Sequence, residues 1–296
     1  MFFETRLGRI VPIVAMTLFV MLVQVLSLAL MPSLSASEYR VFENPESAAN
    51  SVIYILLILA FTLFVLMALK LKKGWVVSGV IFLAVISGVY YVLFAFLSPL
   101  PAFALSFGVV LLLYMFPEWY VIDLVGLLVC AGVSALFGIS MEPLPVLLLL
   151  TMLAVYDAIS VYKTRHMVTL AKGVMEIKAP LLFIVPRRID YSFRKKGMKG
   201  SGSDDERGAY FLGLGDAIIP TVLVVSANWF LSVPHYGLFG LGVNGPALGA
   251  MLGTYLGFLV LSMTPRDKPQ AGLPFLNGGA ILGFVMGSLI SGAALF

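Results

Sequence analysis

The sequence predicts an all-α polytopic membrane protein with nine transmembrane helices, a cytoplasmic N-terminus and an extracytoplasmic C-terminus. Three observations predict this fold: the composition, a series of nine apolar segments, and the distribution of basic residues between them. Of the 296 residues, 60% are hydrophobic and only 11% are charged, whereas a soluble domain carries about 25% charged residues. The composition therefore excludes soluble globular, disordered, collagen-like and disulfide-stabilised classes of protein.

The nine apolar segments have lengths typical of helices that cross a bilayer. They occupy residues 10–31, 51–71, 75–97, 100–116, 119–139, 144–163, 209–232, 244–263 and 272–294. The fourth segment is the shortest, and Pro99, Pro101 and Pro117 bound it.

The basic residues give the orientation of the chain. If the N-terminus is cytoplasmic, 18 of the 19 Lys and Arg residues fall in cytoplasmic segments, and only Arg40 lies outside. Basic residues are enriched in cytoplasmic loops, so this distribution favours an N-in, C-out arrangement in the cell membrane. The net charge of +4 is explained by the same bias, and we expect no nucleic-acid partner.

The longest polar interruption divides the chain into three parts. We expect a six-helix part at 1–163, a cytoplasmic loop at 164–208 and a three-helix part at 209–296. The basic residues of the loop predict contact with anionic lipid headgroups. The apolar run from Pro180 to Pro186 is too short to span a bilayer, and is a candidate for a strand or an interfacial segment.

Two of the last three spans carry glycine at every fourth position. Gly245, Gly249, Gly253 and Gly257 lie in span eight, and Gly279, Gly283 and Gly287 lie in span nine. Small residues at this spacing allow helix backbones to approach closely, which predicts tight packing of these spans.

The acidic residues carry the indication of chemistry. Nearly all fifteen lie in loops or at span ends, and Glu118 and Asp123 are expected at the membrane interface. Asp157 in span six and Asp216 in span seven are the exceptions. A carboxylate within the hydrocarbon is energetically costly, which makes both residues candidates for a functional site.

Asp157 and Asp216 lie at similar depths on consecutive antiparallel spans. Asp157 lies about 9 Å inside the cytoplasmic end of span six, and Asp216 about 10 Å inside if span seven begins at Ala209. Two facing carboxylates share a proton, so that one can act as a general base and the other as a general acid. That pair of roles is the chemistry of an aspartic protease.

The flanking residues extend this pattern. Tyr156 precedes Asp157, and the second acid closes the run Gly213-Leu214-Gly215-Asp216. Together with the nine-helix plan, Tyr-Asp followed one span later by Gly-x-Gly-Asp resembles the presenilin and signal peptide peptidase family of intramembrane aspartyl proteases. The compact size and the N-in orientation look most like an archaeal presenilin homologue. The resemblance implies that Asp157 and Asp216 are catalytic, with Tyr156 and the glycines supporting the site.

The third motif of that family is Pro-Ala-Leu at the start of span nine. The run Ala271-Gly272-Leu273-Pro274 is similar to it, although Ala271 stands where the family has proline and Gly272 where it has alanine. A literal Pro246-Ala247-Leu248 opens span eight, one helix earlier, and remains the alternative. The resemblance implies that substrate binds near the span-nine motif. Residues 177–185 are the candidate strand edge for pairing with an unwound substrate.

The sequence indicates no cofactor and no metal. Cys130 is the only cysteine, and His166 and His235 are far apart in the predicted topology. The expected partners are transmembrane-helix substrates and membrane lipid, and a homo-oligomer remains open. The alternative function is a proton- or ion-coupled transporter that uses the two intramembrane aspartates, although no inverted repeat is evident.

Overall fold

The computed structural model describes residues 6–36, 41–71, 73–163, 182–186, 191–196, 208–238, 240–264 and 270–293. Long helices account for most of this part of the chain. They are α1 Arg6–Ala36, α2 Ala49–Lys70, α3 Gly74–Phe94, α4 Pro99–Met115, α5 Trp119–Gly138, α6 Pro143–Ala158, α7 Leu214–Phe230, α8 Gly245–Met263 and α9 Leu273–Ser291. A π-helical turn, Ile159–Lys163, continues α6, and one short turn of α-helix covers Phe193–Lys196.

Seven helices in the described residues are long and apolar enough to cross a membrane. The two shorter apolar helices are α4 and α7, with 17 residues each. Such a helix is about 26 Å long, close to the lower limit for a span. The prediction of a mostly helical multi-pass membrane protein is confirmed, and the count of nine spans stays a prediction.

Two small antiparallel sheets correct the all-α prediction. Strand β1 (Leu182–Pro186) pairs with β2 (Ala209–Gly213), and β3 (His235–Leu238) pairs with β4 (Leu241–Asn244). Residues 209–213, which were expected to open span seven, therefore form a strand, and α7 begins at Leu214. Hydropathy alone does not separate a short apolar strand from the start of an apolar helix.

Of the three predicted parts of the chain, the loop is the one that the structure describes least completely. Of the predicted loop at 164–208, the structure describes 182–186, 191–196 and 208. Strand β1 overlaps the candidate strand at 177–185, of which 177–181 lie outside the described residues. Most of the basic cluster also lies outside the residues whose side chains are described, but Arg194 is placed with its guanidinium 5.9 Å from the Phe116 ring centroid.

Helix α7 is the most enclosed of the long helices. Every residue from Ile219 to Asn228 is buried, and α7 shares one core with α1, α5, α6, α8 and α9. In contrast, large apolar side chains of α2 and α4 are exposed around most of each helix, as expected for faces that contact lipid. Asp216 therefore lies on the central helix of the bundle.

Helices α8 and α9 pack through their glycines, as the sequence predicts. A Cβ added at Gly253 would collide with the backbone carbonyl of Gly279, and one added at Gly279 would collide with the carbonyl of Gly253. The same relation joins Gly249 and Gly283. The two backbones are in direct contact, so any side chain at these positions must separate the helices.

We predict that Gly279→Ala lowers the melting temperature of the protein, because its methyl group meets the α8 backbone rather than a flexible side chain. A loss of about 1–3 kcal/mol in the free energy of unfolding is expected for such overpacking. The measurement is thermal unfolding in one detergent for both the variant and wild type.

The matched control is Gly278→Ala, one residue earlier on α9, where an added Cβ meets nothing within 4 Å. This variant should be as stable as wild type or slightly more stable, since alanine is the better helix former. Equal melting temperatures for the two variants would contradict direct backbone packing.

Candidate active site

The first predicted acid, Asp157, lies in the last turn of α6. Its side chain is 5% exposed. The backbone widens immediately afterwards into the π-helical turn Ile159–Lys163. Such turns are rare and occur frequently at functional sites. Tyr156, its neighbour in the Tyr-Asp motif, is partly buried on the same helix.

The second predicted acid, Asp216, lies in the first turn of α7 rather than deep within a longer helix. Gly213 is the N-cap of α7, and its backbone N–H donates a hydrogen bond to the Asp216 carboxylate. This is the reciprocal half of a capping box, in which the third helical residue reaches back to the N-cap. A Cβ at Gly213 would lie 3.2 Å from Asp216 Oδ2, so a larger residue there would crowd the carboxylate.

The remaining residues of the Gly-x-Gly-Asp motif have separate surroundings. Leu214 is buried, and its Cδ2 lies 3.1 Å from where a Cβ on Gly126 of α5 would be. Its carbonyl also accepts a weak hydrogen bond from Cys130 Sγ at 3.7 Å. Gly215 is exposed, and a Cβ there would meet nothing within 4 Å. Leu214 thus fixes the start of α7, while Gly215 leaves space beside Asp216.

The start of α9 brings the two acids together. The backbone N–H of Leu273 donates to Asp157 Oδ2 at 3.2 Å, and the N–H of Gly272 also donates to Asp157. A Cβ on Gly272 would lie 3.2 Å from both carboxylate oxygens of Asp216. Gly272 thus contacts both acids, which approach each other across its backbone.

The two carboxylates interact with each other, and each lies at a helix N-terminus. Asp157 acts electrostatically on Asp216, so the two side chains form an interacting pair. Asp216 lies at the N-terminus of α7, and Asp157 caps the N-terminus of α9, whose own N-cap residue Gly272 has no side chain. Helix N-termini stabilise anions through their free N–H groups and the helix dipole.

The two candidates for the third motif lie at different ends of the bundle. Ala271 is fully buried beside the acids, and Pro274 occupies the first turn of α9. In contrast, Pro246-Ala247-Leu248 opens α8 next to Asn244, which accepts a hydrogen bond from the Ala247 N–H at 2.9 Å and donates to the Ala227 carbonyl at 2.7 Å. Ala227 is eleven residues from Asp216 along α7, or about 16 Å.

Asp123, which was expected at the membrane interface, is a buried acid. It is 3% exposed, and its Oδ1 accepts a hydrogen bond from the Ile184 N–H of β1 at 2.7 Å. Ile184 is paired with Phe211 of β2, and β2 runs directly into α7. Asp123 therefore connects α5 to the strand that leads to Asp216. The sequence gives no signal for this contact, because the two partners are 61 residues apart.

Glu118 makes a second connection between α5 and the predicted loop. It accepts hydrogen bonds from Ser192 Oγ at 2.7 Å and from the Phe193 N–H at 3.1 Å. Burial, and to a lesser extent the negative charge of Glu118, raises the pKa of the adjacent Tyr191, so its phenol stays neutral at physiological pH. Both acids of α5 thus hold segments on the side of the bundle where Asp157 and Asp216 lie.

No group of three His, Cys, Asp or Glu side chains in the described part of the chain is arranged to hold a metal ion. His166 lies outside that part, and His235 is exposed on β3. The polar groups that the structure describes at the site are the two carboxylates and their backbone donors.

The chain resembles known proteins over nearly its whole length. Residues 16–293 match the family model described as signal-peptide peptidase, presenilin aspartyl protease. Two solved structures of a presenilin family intramembrane aspartate protease, in space groups C222 and P2, are each 36% identical to this chain and cover 94% of it. Their TM-scores are 0.68 and 0.64, and the matches span 99% and 98% of those chains. No curated protein matches the chain significantly.

We predict that Asp123→Leu lowers the free energy of unfolding by about 1–3 kcal/mol, because it leaves the buried Ile184 N–H without an acceptor. Asp123→Asn keeps an oxygen at the same position and should retain most of the stability. Thermal unfolding of both variants in one detergent is the measurement. If the leucine variant is as stable as the asparagine variant, the bond to β1 does not hold the sheet.

Proposed function

The chain belongs to the signal-peptide peptidase, presenilin aspartyl protease family, and we propose that Asp157 and Asp216 are its two catalytic residues. The protein is a multi-pass intramembrane aspartyl protease, and thus a hydrolase. These matches give no support to a proton- or ion-coupled transporter. The observation that carries the assignment of the residues is the approach of both carboxylates to Gly272.

The proposed reaction needs one proton shared between the two acids. The ionised carboxylate removes a proton from water, and the water oxygen forms a bond to the carbonyl carbon of the peptide. The protonated carboxyl donates its proton to the carbonyl oxygen, which gives a neutral tetrahedral diol. When the diol collapses, the ionised carboxylate takes a proton from one diol hydroxyl and the C–N bond breaks. The protonated carboxyl gives its proton to the leaving amine, so the acids again share one proton.

The backbone donors around the acids suit this exchange of protons. Asp157 accepts hydrogen bonds from Gly272 and Leu273, and Asp216 accepts one from Gly213. These N–H groups are fixed by helix starts, so they need not reorient when charge moves between the carboxylates. Preorganised dipoles of this kind are usually the largest electrostatic contribution to catalysis.

The proposed substrates are transmembrane helices of other membrane proteins. A helical substrate must unwind before water reaches its carbonyl carbon, and its freed backbone groups then need partners. On the side of β1 that faces away from β2, the Ile184 N–H already donates to Asp123. This bond argues against β1 as the strand that pairs with substrate. Strand β2 has no second strand partner in the described residues. Its outer edge and the open space at Gly215 therefore support the approach of an extended substrate beside Asp216.

The proposed topology has nine spans, with the N-terminus in the cytoplasm and the C-terminus outside the cell membrane. The two 17-residue helices, α4 and α7, count as spans in this arrangement. With nine spans, 18 of the 19 basic residues lie on the cytoplasmic side. Both catalytic acids then lie near that side, since Asp157 is close to the end of α6 and Asp216 to the start of α7.

We predict that Asp157→Ala and Asp216→Ala each reduce proteolysis at least about 1,000-fold, since neither acid can do both proton transfers alone. The double variant should be no less active than either single variant, because the acids act as a unit. The measurement is cleavage of a purified single-span test substrate by the protein in liposomes, with products identified by mass spectrometry.

Asp123→Asn is the matched control, since it also removes a buried carboxylate but lies outside the proposed pair. This variant should keep most of the wild-type rate. Proteolysis at the full rate in either alanine variant would overturn the two-aspartate mechanism.

A hydroxyl-containing peptide isostere, which mimics the tetrahedral diol, should block cleavage competitively with the test substrate. The rate should also show a bell-shaped dependence on pH, because one carboxyl must be ionised and the other protonated. A flat profile across the acidic and neutral range, or cleavage that is insensitive to the isostere, would contradict a shared proton.

A further inference from the structure

We propose that Tyr162 is a positioning residue for proteolysis, which holds residues 270–273 against the two acids while their protonation changes. This inference rests on the proposed catalytic roles of Asp157 and Asp216. Tyr162 lies in the π-helical turn after α6, and its side chain is 55% exposed. Its phenol oxygen accepts a hydrogen bond from the Ala271 N–H at 3.3 Å and donates to Gln270 Oε1 at 2.9 Å.

Three consecutive backbone N–H groups are held by two side chains from the end of α6. The phenol oxygen of Tyr162 accepts a hydrogen bond from the Ala271 N–H, and the Asp157 carboxylate accepts hydrogen bonds from the N–H groups of Gly272 and Leu273. These groups open α9, and they have no acceptor within their own helix. The end of α6 therefore caps the start of α9, and one of these three hydrogen bonds is made by a residue outside the proposed catalytic pair.

The π-helical turn explains why both side chains reach the same segment. Asp157 and Tyr162 are five residues apart, a spacing that the i→i+5 bonds of a π-turn bring close to one side of the helix. In a regular α-helix the residue on the side of Asp157 would be Val161, four residues on, and no phenol would face α9. The contacts of both side chains with residues 270–273 agree with the wider turn.

The chemistry of Asp157 requires a second anchor for this segment. A carboxylate accepts backbone hydrogen bonds more strongly when it is ionised than when it is protonated. Residues 270–273 would therefore be held more weakly in each part of the cycle in which Asp157 carries the proton. The hydrogen bond from the Ala271 N–H to the Tyr162 phenol oxygen involves neither oxygen of Asp157, so protonation of Asp157 removes neither of its partners.

Because Gly272 lies next to both acids, we expect movement of residues 270–273 to change the rate of the chemical step. The Gly272 N–H donates to Asp157, and a Cβ on Gly272 would be 3.2 Å from either oxygen of Asp216. A small displacement would alter the distance between the carboxylates as well as the bonds to Asp157. Loss of the Tyr162 hydroxyl should thus lower the rate of the chemical step rather than weaken substrate binding.

The test is Tyr162→Phe in the full-length protein in liposomes, with the single-span test substrate described above. We expect kcat to fall about three- to tenfold, as for the loss of one hydrogen bond. KM should stay within about twofold of wild type. The melting temperature should change by less than about 2 °C, because the hydroxyl lies on an exposed side chain.

Three further variants separate positioning from a general effect. Tyr120→Phe removes the hydroxyl of a side chain on α5 that is 57% exposed, and it should leave kcat unchanged. Gln270→Met should lower kcat less than Tyr162→Phe. The double variant Tyr162→Phe/Gln270→Met should be no slower than Tyr162→Phe alone, because Gln270 acts through the phenol.

A wild-type kcat in Tyr162→Phe would overturn this inference, and so would a loss confined to KM or one matched by a fall in melting temperature. Asp157→Ala and Asp216→Ala are measured in parallel. If both are inactive, the two-aspartate mechanism stands even when the role of Tyr162 is overturned. If the aspartate variants themselves cleave the substrate at the full rate, the proposed function fails instead.

Discussion

The arrangement of this protein depends on keeping two carboxylates inside an apolar helical bundle. Each carboxylate needs hydrogen-bond donors, because lipid and apolar side chains supply none. The structure supplies them from helix starts: Gly213 at α7 for Asp216, and Gly272 with Leu273 at α9 for Asp157. The same free N–H groups would otherwise be unpaired in the membrane, so the acids and the helix starts satisfy one another.

The rest of the fold holds these two helix starts in place. Helix α9 lies directly on α8 because glycines remove the side chains between them, as at Gly253 and Gly279. Helix α7 is enclosed by neighbours and preceded by a strand that Asp123 ties to α5 through β1. Both catalytic candidates are thus positioned by contacts between elements that are distant in the chain.

Much of the site could be read from the sequence, because a charge in an apolar span is costly and stands out from its surroundings. That argument identifies Asp157 and Asp216, and the flanking Tyr156 and glycines strengthen it. It fails for Asp123, which lies near a span end like an ordinary interfacial acid, although its partner on β1 buries it. It also gives no reason to notice Tyr162, because hydropathy cannot indicate that the helix widens into a π-turn at Ile159–Lys163.

The sequence by itself determined the membrane location and the mostly helical fold, and it indicated the two candidate acids, because hydropathy and the cost of buried charge are local properties of the chain. Only the tertiary structure decided that Asp216 belongs to the first turn of α7 and that residues 271–274, rather than 246–248, lie beside both acids. It also decided that Gly272 lies next to both carboxylates. These features depend on which helix starts come together, and that follows from the packing of the whole bundle.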